Sequence, residues 1–164
     1  MKKVLYLLAL VAILASCGTA KSVSYTHRPL AAEGCSVSYS AVQNDGQLMI
    51  VVTVRSDRLV FSNNPIMMLK NFKGEVLKLE GLNLHSLTET GGVLINNVVV
   101  PVTELSAMAE FPVEEKDIEF FSSGISKVRL STVPIVHKKE FSSDVIGGYL
   151  FTSLRKVSVS EDTF

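Results

Sequence analysis

Residues 35–55 constrain the fold most, because two runs with apolar side chains at alternate positions flank a tight-turn sequence. The first run alternates with serine and places on one side Cys35, Val37, Tyr39 and Ala41. The second run places on one side Leu48, Ile50, Val52 and Val54. A period of two is that of a half-buried strand, and Asn44-Asp45-Gly46 between the runs is typical of a hairpin turn. The sequence therefore predicts an antiparallel hairpin with one face in a hydrophobic core.

Short strands and turns are predicted to continue from residue 59 to residue 80. The apolar segment Leu59–Phe61 precedes a turn cluster at 62–65, rich in serine, asparagine and proline. Segments 66–70 and 75–80 then flank a second turn, in which Gly74 can adopt the positive φ that a tight hairpin needs. We expect this second hairpin to add two strands to an antiparallel sheet.

Residues 81–111 are less regular. Gly81–Gly92 shows no clear period, and we expect an irregular loop there that contains His85, Ser86 and Glu89. Val93–Val102 is apolar apart from its central asparagine pair, which leaves either two short strands or one strand buried on both faces. Residues 108–111 are expected to continue the sheet.

Two short helices are predicted in the last third of the chain. The first begins at Pro112 with carboxylates in its first turn and ends at Gly124. A strand is expected over 127–133. The second helix begins near Ser143, whose side chain can cap it. Its apolar stripe consists of Ile146, Tyr149, Leu150 and Leu154.

The predicted fold class is mainly β: a single antiparallel β-sandwich-like domain with two short helices. The domain is expected to span residues 35–156, followed by a tail at 157–164. The alternative is an α+β fold in which both helices cover one face of an antiparallel sheet.

The N-terminal sequence predicts where in the cell the protein is located. Lys2 and Lys3 precede an uncharged apolar run of eleven residues, Val4–Leu14. That run is shorter than the roughly 20 residues that span a bilayer, and it is typical of a secretory signal peptide. Two small residues then precede Cys17, and Leu14-Ala15-Ser16-Cys17 resembles the lipobox of bacterial lipoproteins.

This resemblance implies that residues 1–16 are removed and that Cys17 is lipidated. Residues 17–34 would then form a tether that holds the domain at the membrane. The inner-membrane retention aspartate and an acidic surface-export cluster are both missing after Cys17, which by resemblance favours the periplasmic face of the outer membrane. Residues 114–129 and 72–76 also resemble segments of uncharacterised secreted lipoproteins of the Bacteroidetes.

Charge and cysteine content exclude some classes of partner. The chain has 16 basic and 16 acidic residues, and loss of Lys2 and Lys3 with the signal leaves a slight negative charge. A nucleic-acid-binding protein is therefore not expected. With Cys17 lipidated, Cys35 is left without an intramolecular disulfide partner, and we expect it to be a small apolar residue at the start of a strand.

Catalytic and metal-binding motifs are missing from the sequence. His27, His85 and His137 have no metal-ligand spacing, and we expect no cofactor and no metal. The acidic residues at 114, 115, 117 and 119 are expected to form a solvated helix face. The sequence thus favours a non-enzymatic binding or structural module, with the membrane and an envelope protein as partners. The alternatives are a small periplasmic hydrolase that uses the His85 loop and a fimbrial or adhesin-type subunit.

Overall fold

The structure is a computed structural model that describes residues 23–27, 35–56, 59–95 and 98–159, with the backbone alone at 23–27, 35, 85 and 89–104. Within these ranges the chain forms eleven strands and two α-helices. The strands are β1 Val23–His27, β2 Cys35–Asn44, β3 Gln47–Ser56, β4 Val60–Phe61, β5 Ile66–Asn71, β6 Val76–Glu80, β7 Leu82–Ile95, β8 Val98–Pro112, β9 Ile125–Leu130, β10 Thr132–Val133 and β11 His137–Glu140. The helices are α1 Ile118–Phe121, which follows a 3-10 turn at Glu115–Asp117, and α2 Gly147–Val159.

The first sheet has five antiparallel strands in the order β1-β2-β3-β8-β7. Its centre is the predicted hairpin of β2 and β3, in which Asn44 pairs with Gln47 across the turn. Asp45 and Gly46 both have positive φ there, as a two-residue hairpin turn requires. The predicted inward residues from Val37 to Val54 whose side chains are described are buried, except that Ala41 is partly buried, so the predicted hairpin and its core face are confirmed.

The second sheet has four antiparallel strands in the order β11-β9-β5-β6. β5 and β6 form the second predicted hairpin, with Gly74 at a φ of 92°. β9 pairs with the other edge of β5 and with β11. β4 and β10 form a short two-stranded ladder of their own.

One hydrophobic core joins the inner faces of the two sheets and both helices. The rings of Phe61 and Phe111 meet edge to face with centroids 6.3 Å apart. Leu150 and Leu154 of α2 are fully buried, and this helix contacts β2 and β3. The fold is therefore mainly β and β-sandwich-like with short helices, as the sequence predicts.

The chain differs from prediction at Gly81–Gly92, which is a long strand and not an irregular loop. Together with residues up to Ile95 it forms β7, which pairs with β8 over most of its length. Of the two alternatives for Val93–Val102, two strands are correct, because Ile95 pairs with Val98 in a hairpin. Both strands are much longer than expected.

The N-terminal segment also contains more structure than expected. Within the predicted tether, β1 pairs with β2, from Val23 opposite Tyr39 to His27 opposite Cys35. Val23 and Tyr25 alternate with Ser24 and Thr26, but this run of five residues is short, and pairing with β2 is what makes it a strand.

The second helix begins and ends later than predicted. α2 starts at Gly147, and the carboxylate of Asp144, not the hydroxyl of Ser143, accepts hydrogen bonds from the first N–H groups of the helix. α2 continues to Val159, so 157–159 are helical. Its predicted apolar stripe is confirmed, since Ile146, Leu150 and Leu154 are fully buried. Among the described helices, none is long and apolar enough to cross a membrane.

Candidate binding face on the second sheet

Cysteine and histidine are the residue types for which the sequence suggests lipidation, catalytic or metal-binding roles. Cys17 and its lipobox lie outside the described residues. Cys35 is the first residue of β2, as predicted, and its backbone pairs with that of His27 in β1. His137 is the first residue of β11 and is fully buried, where its backbone N–H donates to the hydroxyl of Thr132 at 2.9 Å.

The three residues of the predicted His85 loop lie on a strand instead. His85, Ser86 and Glu89 are part of β7, whose pairing with β8 has a register irregularity between Asn83 and Ser86. A strand rises about 3.3 Å per residue, so four positions separate the Cα atoms of His85 and Glu89 by about 13 Å. The extended backbone therefore keeps His85 and Glu89 apart, whereas a loop could bring them together.

Three of the four acidic residues near α1 lie on the solvated surface, as the sequence predicts, and Asp117 is partly buried. Glu114, Glu115 and Glu119 are exposed. Glu114 pairs with Lys116 at 2.5 Å, which raises the pKa of the Lys116 ammonium through a hydrogen bond and then through charge. Across the described residues, histidine, cysteine and carboxylate side chains do not group closely enough to hold a metal ion.

The outward face of the second sheet is rich in basic side chains. Its strand pairing brings two rows of residues side by side across all four strands. The first row is Lys138, Arg129, Met68 and Lys78, and the second is Glu140, Lys127, Lys70 and Val76. Neighbouring strands are about 4.8 Å apart, so the charged groups of one row are close neighbours. We call the outward surface formed by these eight residues and Glu80 the basic face.

An apolar floor lies between the cations of the basic face. A depression of about 230 Å³ is lined by Met68, Val76 and the basic side chains around them. A second depression of about 160 Å³ lies on the other side of Met68 and Arg129, where Ile66 and Val136 contribute apolar surface. The face therefore combines positive charge with exposed hydrocarbon.

Two carboxylates offset part of this charge. Lys127 pairs with Glu140 at 2.7 Å, and Lys78 pairs with Glu80 at 2.7 Å. The hydrogen bond from Lys127, and then its charge, lower the pKa of the Glu140 carboxyl below its ordinary value of 4.5, and Lys70 contributes to the same effect. The partner lysine lowers the pKa of Glu80 in the same way.

The remaining cations of the face are available to a ligand. Lys70, Arg129 and Lys138 are exposed, and in the described part of the chain none of them forms an ion pair. With both carboxylates counted, five cations still exceed the acidic groups by three. A surface of this kind attracts anions and favours an anionic partner.

The β5–β6 turn extends the basic face with exposed apolar groups. Phe72 is 46% exposed and lies beside Lys73, while Val76 at the start of β6 is 58% exposed. The backbone N–H of Phe72 donates to the carbonyl of Gly124 at 3.3 Å, which ties the turn to the end of α1. One edge of the half-exposed ring lies close to Gly124, and the turn that carries it has its backbone held in place.

The sequence carried a partial signal for this face. Lys127 and Arg129 stand two positions apart on a predicted strand, and a period of two places both on one side. One neighbour of that strand, residues 137–140, follows it closely, but the other comes from residues 66–71, far away in the sequence, and no local pattern indicates that pairing. The sequence alone therefore does not predict the basic face.

Comparison of this chain with protein-family models, with curated proteins and with solved structures returns no match.

Proposed function

We propose that this protein is a non-enzymatic, lipid-anchored module of the cell envelope that binds an anionic partner through its basic face. The anchor is Cys17, and the location is the periplasmic face of the outer membrane. The protein requires no cofactor and no metal in this role, and its partner is an envelope component and not a nucleic acid.

The observation that carries the binding role is the concentration of positive charge on one open sheet face. The chain as a whole has as many acidic as basic residues, yet two neighbouring rows of the second sheet contain five cations and one carboxylate. A side chain such as Arg129 contributes little to folding when it is exposed and unpaired, so a binding role is the simplest reason for the arrangement.

The observation that supports the anchor is the order of features before Cys17. Two lysines, an apolar run and two small residues stand in the order in which a lipoprotein signal has them. Several acyl chains on one cysteine hold a protein stably at a membrane, whereas a single chain binds marginally. An anchor of this type would keep the basic face among envelope components.

Detergent partition and mass spectrometry test the anchor. The wild-type chain is expected to enter the detergent phase and to carry a diacylglyceryl group on Cys17. A Cys17→Ala variant should lose the modification, and Cys35→Ala, which changes the other cysteine, should keep it. A wild-type protein without acyl groups on Cys17 would refute the anchor.

Crosslinking in intact envelopes tests the binding role. We expect crosslinks from the wild-type protein that decrease strongly when Lys70, Arg129 and Lys138 are all replaced by glutamine. Replacement of Arg55, Lys116 and Lys156, which are exposed on other surfaces, is the matched control and should preserve the crosslinks. Equal crosslinking by both triple variants would contradict a binding role for the basic face.

A further inference from the structure

We infer that the anionic partner of the basic face is a bilayer surface, on which the domain lies with its second sheet towards the headgroups. This inference rests on the proposed function, because the anchor is what places the domain at a membrane. The contact would combine Lys70, Lys127, Arg129 and Lys138 with the exposed apolar side chains of the β5–β6 turn.

The first argument is the shape of the charged surface. The cations lie on the outward side of a four-stranded sheet, and both depressions between them are shallow openings in that surface. Many headgroups side by side also present negative charge over a broad area. Each basic residue held near such a surface strengthens binding by roughly fivefold, so several of them together produce useful affinity.

The second argument is the apolar group beside the charge. Phe72 is 46% exposed and Val76 is 58% exposed, and both lie next to lysines. A small soluble anion gives these side chains nothing apolar to contact. The boundary between headgroups and acyl chains offers charge and hydrocarbon at adjacent depths, which is the pattern that amphipathic membrane-binding surfaces use.

The third argument is the short distance from the anchor to the domain. Val23, the first residue of β1, follows Cys17 by six positions. Six residues reach at most about 20 Å even when fully extended. A domain tethered so closely stays beside the bilayer, and a weak attraction suffices to orient it because its effective concentration at the surface is high.

A flotation assay tests the inference independently of acylation. The full Cys17→Ala chain, which lacks the acyl anchor, is mixed with vesicles of phosphatidylglycerol and phosphatidylethanolamine or with vesicles of phosphatidylcholine alone. Residues 1–16 are present in every sample, so the test is the difference in binding between variants and not the absolute binding of one of them. We expect stronger binding to the anionic vesicles, and a decrease as NaCl rises from about 0.05 to 0.5 M, because salt screens charge.

Two triple variants locate the contact. Replacing Lys70, Arg129 and Lys138 by glutamine should weaken partition onto the anionic vesicles by about 100-fold. The control triple variant at Arg55, Lys116 and Lys156 removes the same charge from other surfaces and should weaken it by much less. Thermal unfolding of both variants checks that each remains folded.

Phe72→Ala probes the apolar part of the contact. It should lower the anionic-vesicle binding severalfold, and the loss should persist at high salt, where the charge contribution is screened.

The results separate this inference from the proposed function. Equal losses in the two triple variants, or equal binding to both kinds of vesicle, would overturn the bilayer as partner. Loss of vesicle binding at a few millimolar inorganic phosphate, but not at matched ionic strength of chloride, would also overturn it in favour of a discrete phosphate ligand. Acylation of Cys17 would be unaffected by either result, and its absence would refute the anchor without changing the vesicle data.

Discussion

The side chain of Asp144 accepts a hydrogen bond from the backbone N–H of Ile125 at 2.9 Å, across 19 positions of sequence. The same carboxylate accepts from Gly147 at 2.8 Å and from Gly148 at 2.7 Å. One side chain therefore satisfies the first donors of α2 and the first donor of β9. This arrangement fixes the start of the helix against the second sheet.

Replacement of Asp144 should destabilise the fold measurably. Asp144→Ala removes an acceptor from three backbone N–H groups, and we expect a loss of about 2 kcal/mol in the free energy of unfolding. Asp144→Asn keeps one side-chain oxygen and should lose less. Ser143→Ala changes the neighbouring residue that the sequence favoured as the cap and should have almost no effect. Urea denaturation measures all three, and an Asp144→Ala variant as stable as Ser143→Ala would contradict this role.

The two glycines at the start of α2 should differ in their response to alanine. A Cβ on Gly147 would lie 2.6 Å from Gly124 Cα and 2.7 Å from the backbone nitrogen of Ile125, and backbone atoms cannot easily move aside. We expect Gly147→Ala to lose about 2 kcal/mol or more.

Gly148→Ala is the matched control for that substitution. Its Cβ would meet Asp144 Oδ2 at 3.3 Å, and the gain in helix propensity offsets this tighter contact. We expect the free energy of unfolding to stay within about 0.5 kcal/mol of wild type. Equal unfolding midpoints for the two variants would show that the close approach at Gly147 does not constrain the fold.

Disruption of the Phe61–Phe111 contact should lower the free energy of unfolding strongly. Phe111 is fully buried in β8, and its ring meets that of Phe61 edge to face. Phe111→Ala should lower the free energy of unfolding by about 4 kcal/mol, because it removes buried apolar surface and leaves a cavity. Phe72→Ala removes the same side chain from a half-exposed site and should cost less than about 1 kcal/mol. Comparable losses in chemical denaturation would contradict the assignment of Phe111 to the core.

The parts of the fold that could be predicted from sequence are those with local causes. The β2–β3 hairpin has an alternating pattern on both sides of a turn that needs positive φ, and Asp45 and Gly46 provide it. The second hairpin has Gly74 in the same role. In both cases the residues that determine the structure lie within a few positions of one another.

The β7 strand could not be predicted, because its support is tertiary. Gly81–Gly92 contains a glycine pair and lacks alternation, yet it pairs with β8 from Leu82 opposite Glu110 to Gly92 opposite Pro101. A partner strand can impose extended structure on a segment of low strand propensity. Part of the basic face has the same origin, since the pairing of β5 with β9 brings Lys70 beside Lys127 from a distant part of the sequence.

The titration of Glu140 should report the ion pair on the basic face. Its pKa lies below 4.5 in the folded protein because Lys127 donates a hydrogen bond to the carboxylate and attracts its charge. A lowered folded-state pKa stabilises the fold above the unfolded value, and this contribution disappears as the pH falls through the folded pKa. NMR titration of the carboxyl carbon should therefore show Glu140 protonating below pH 4.5, and Lys127→Gln should move its pKa upwards. Lys156→Gln on α2 is the control and should leave the curve unchanged; an unaltered Glu140 pKa in Lys127→Gln would refute the pairing.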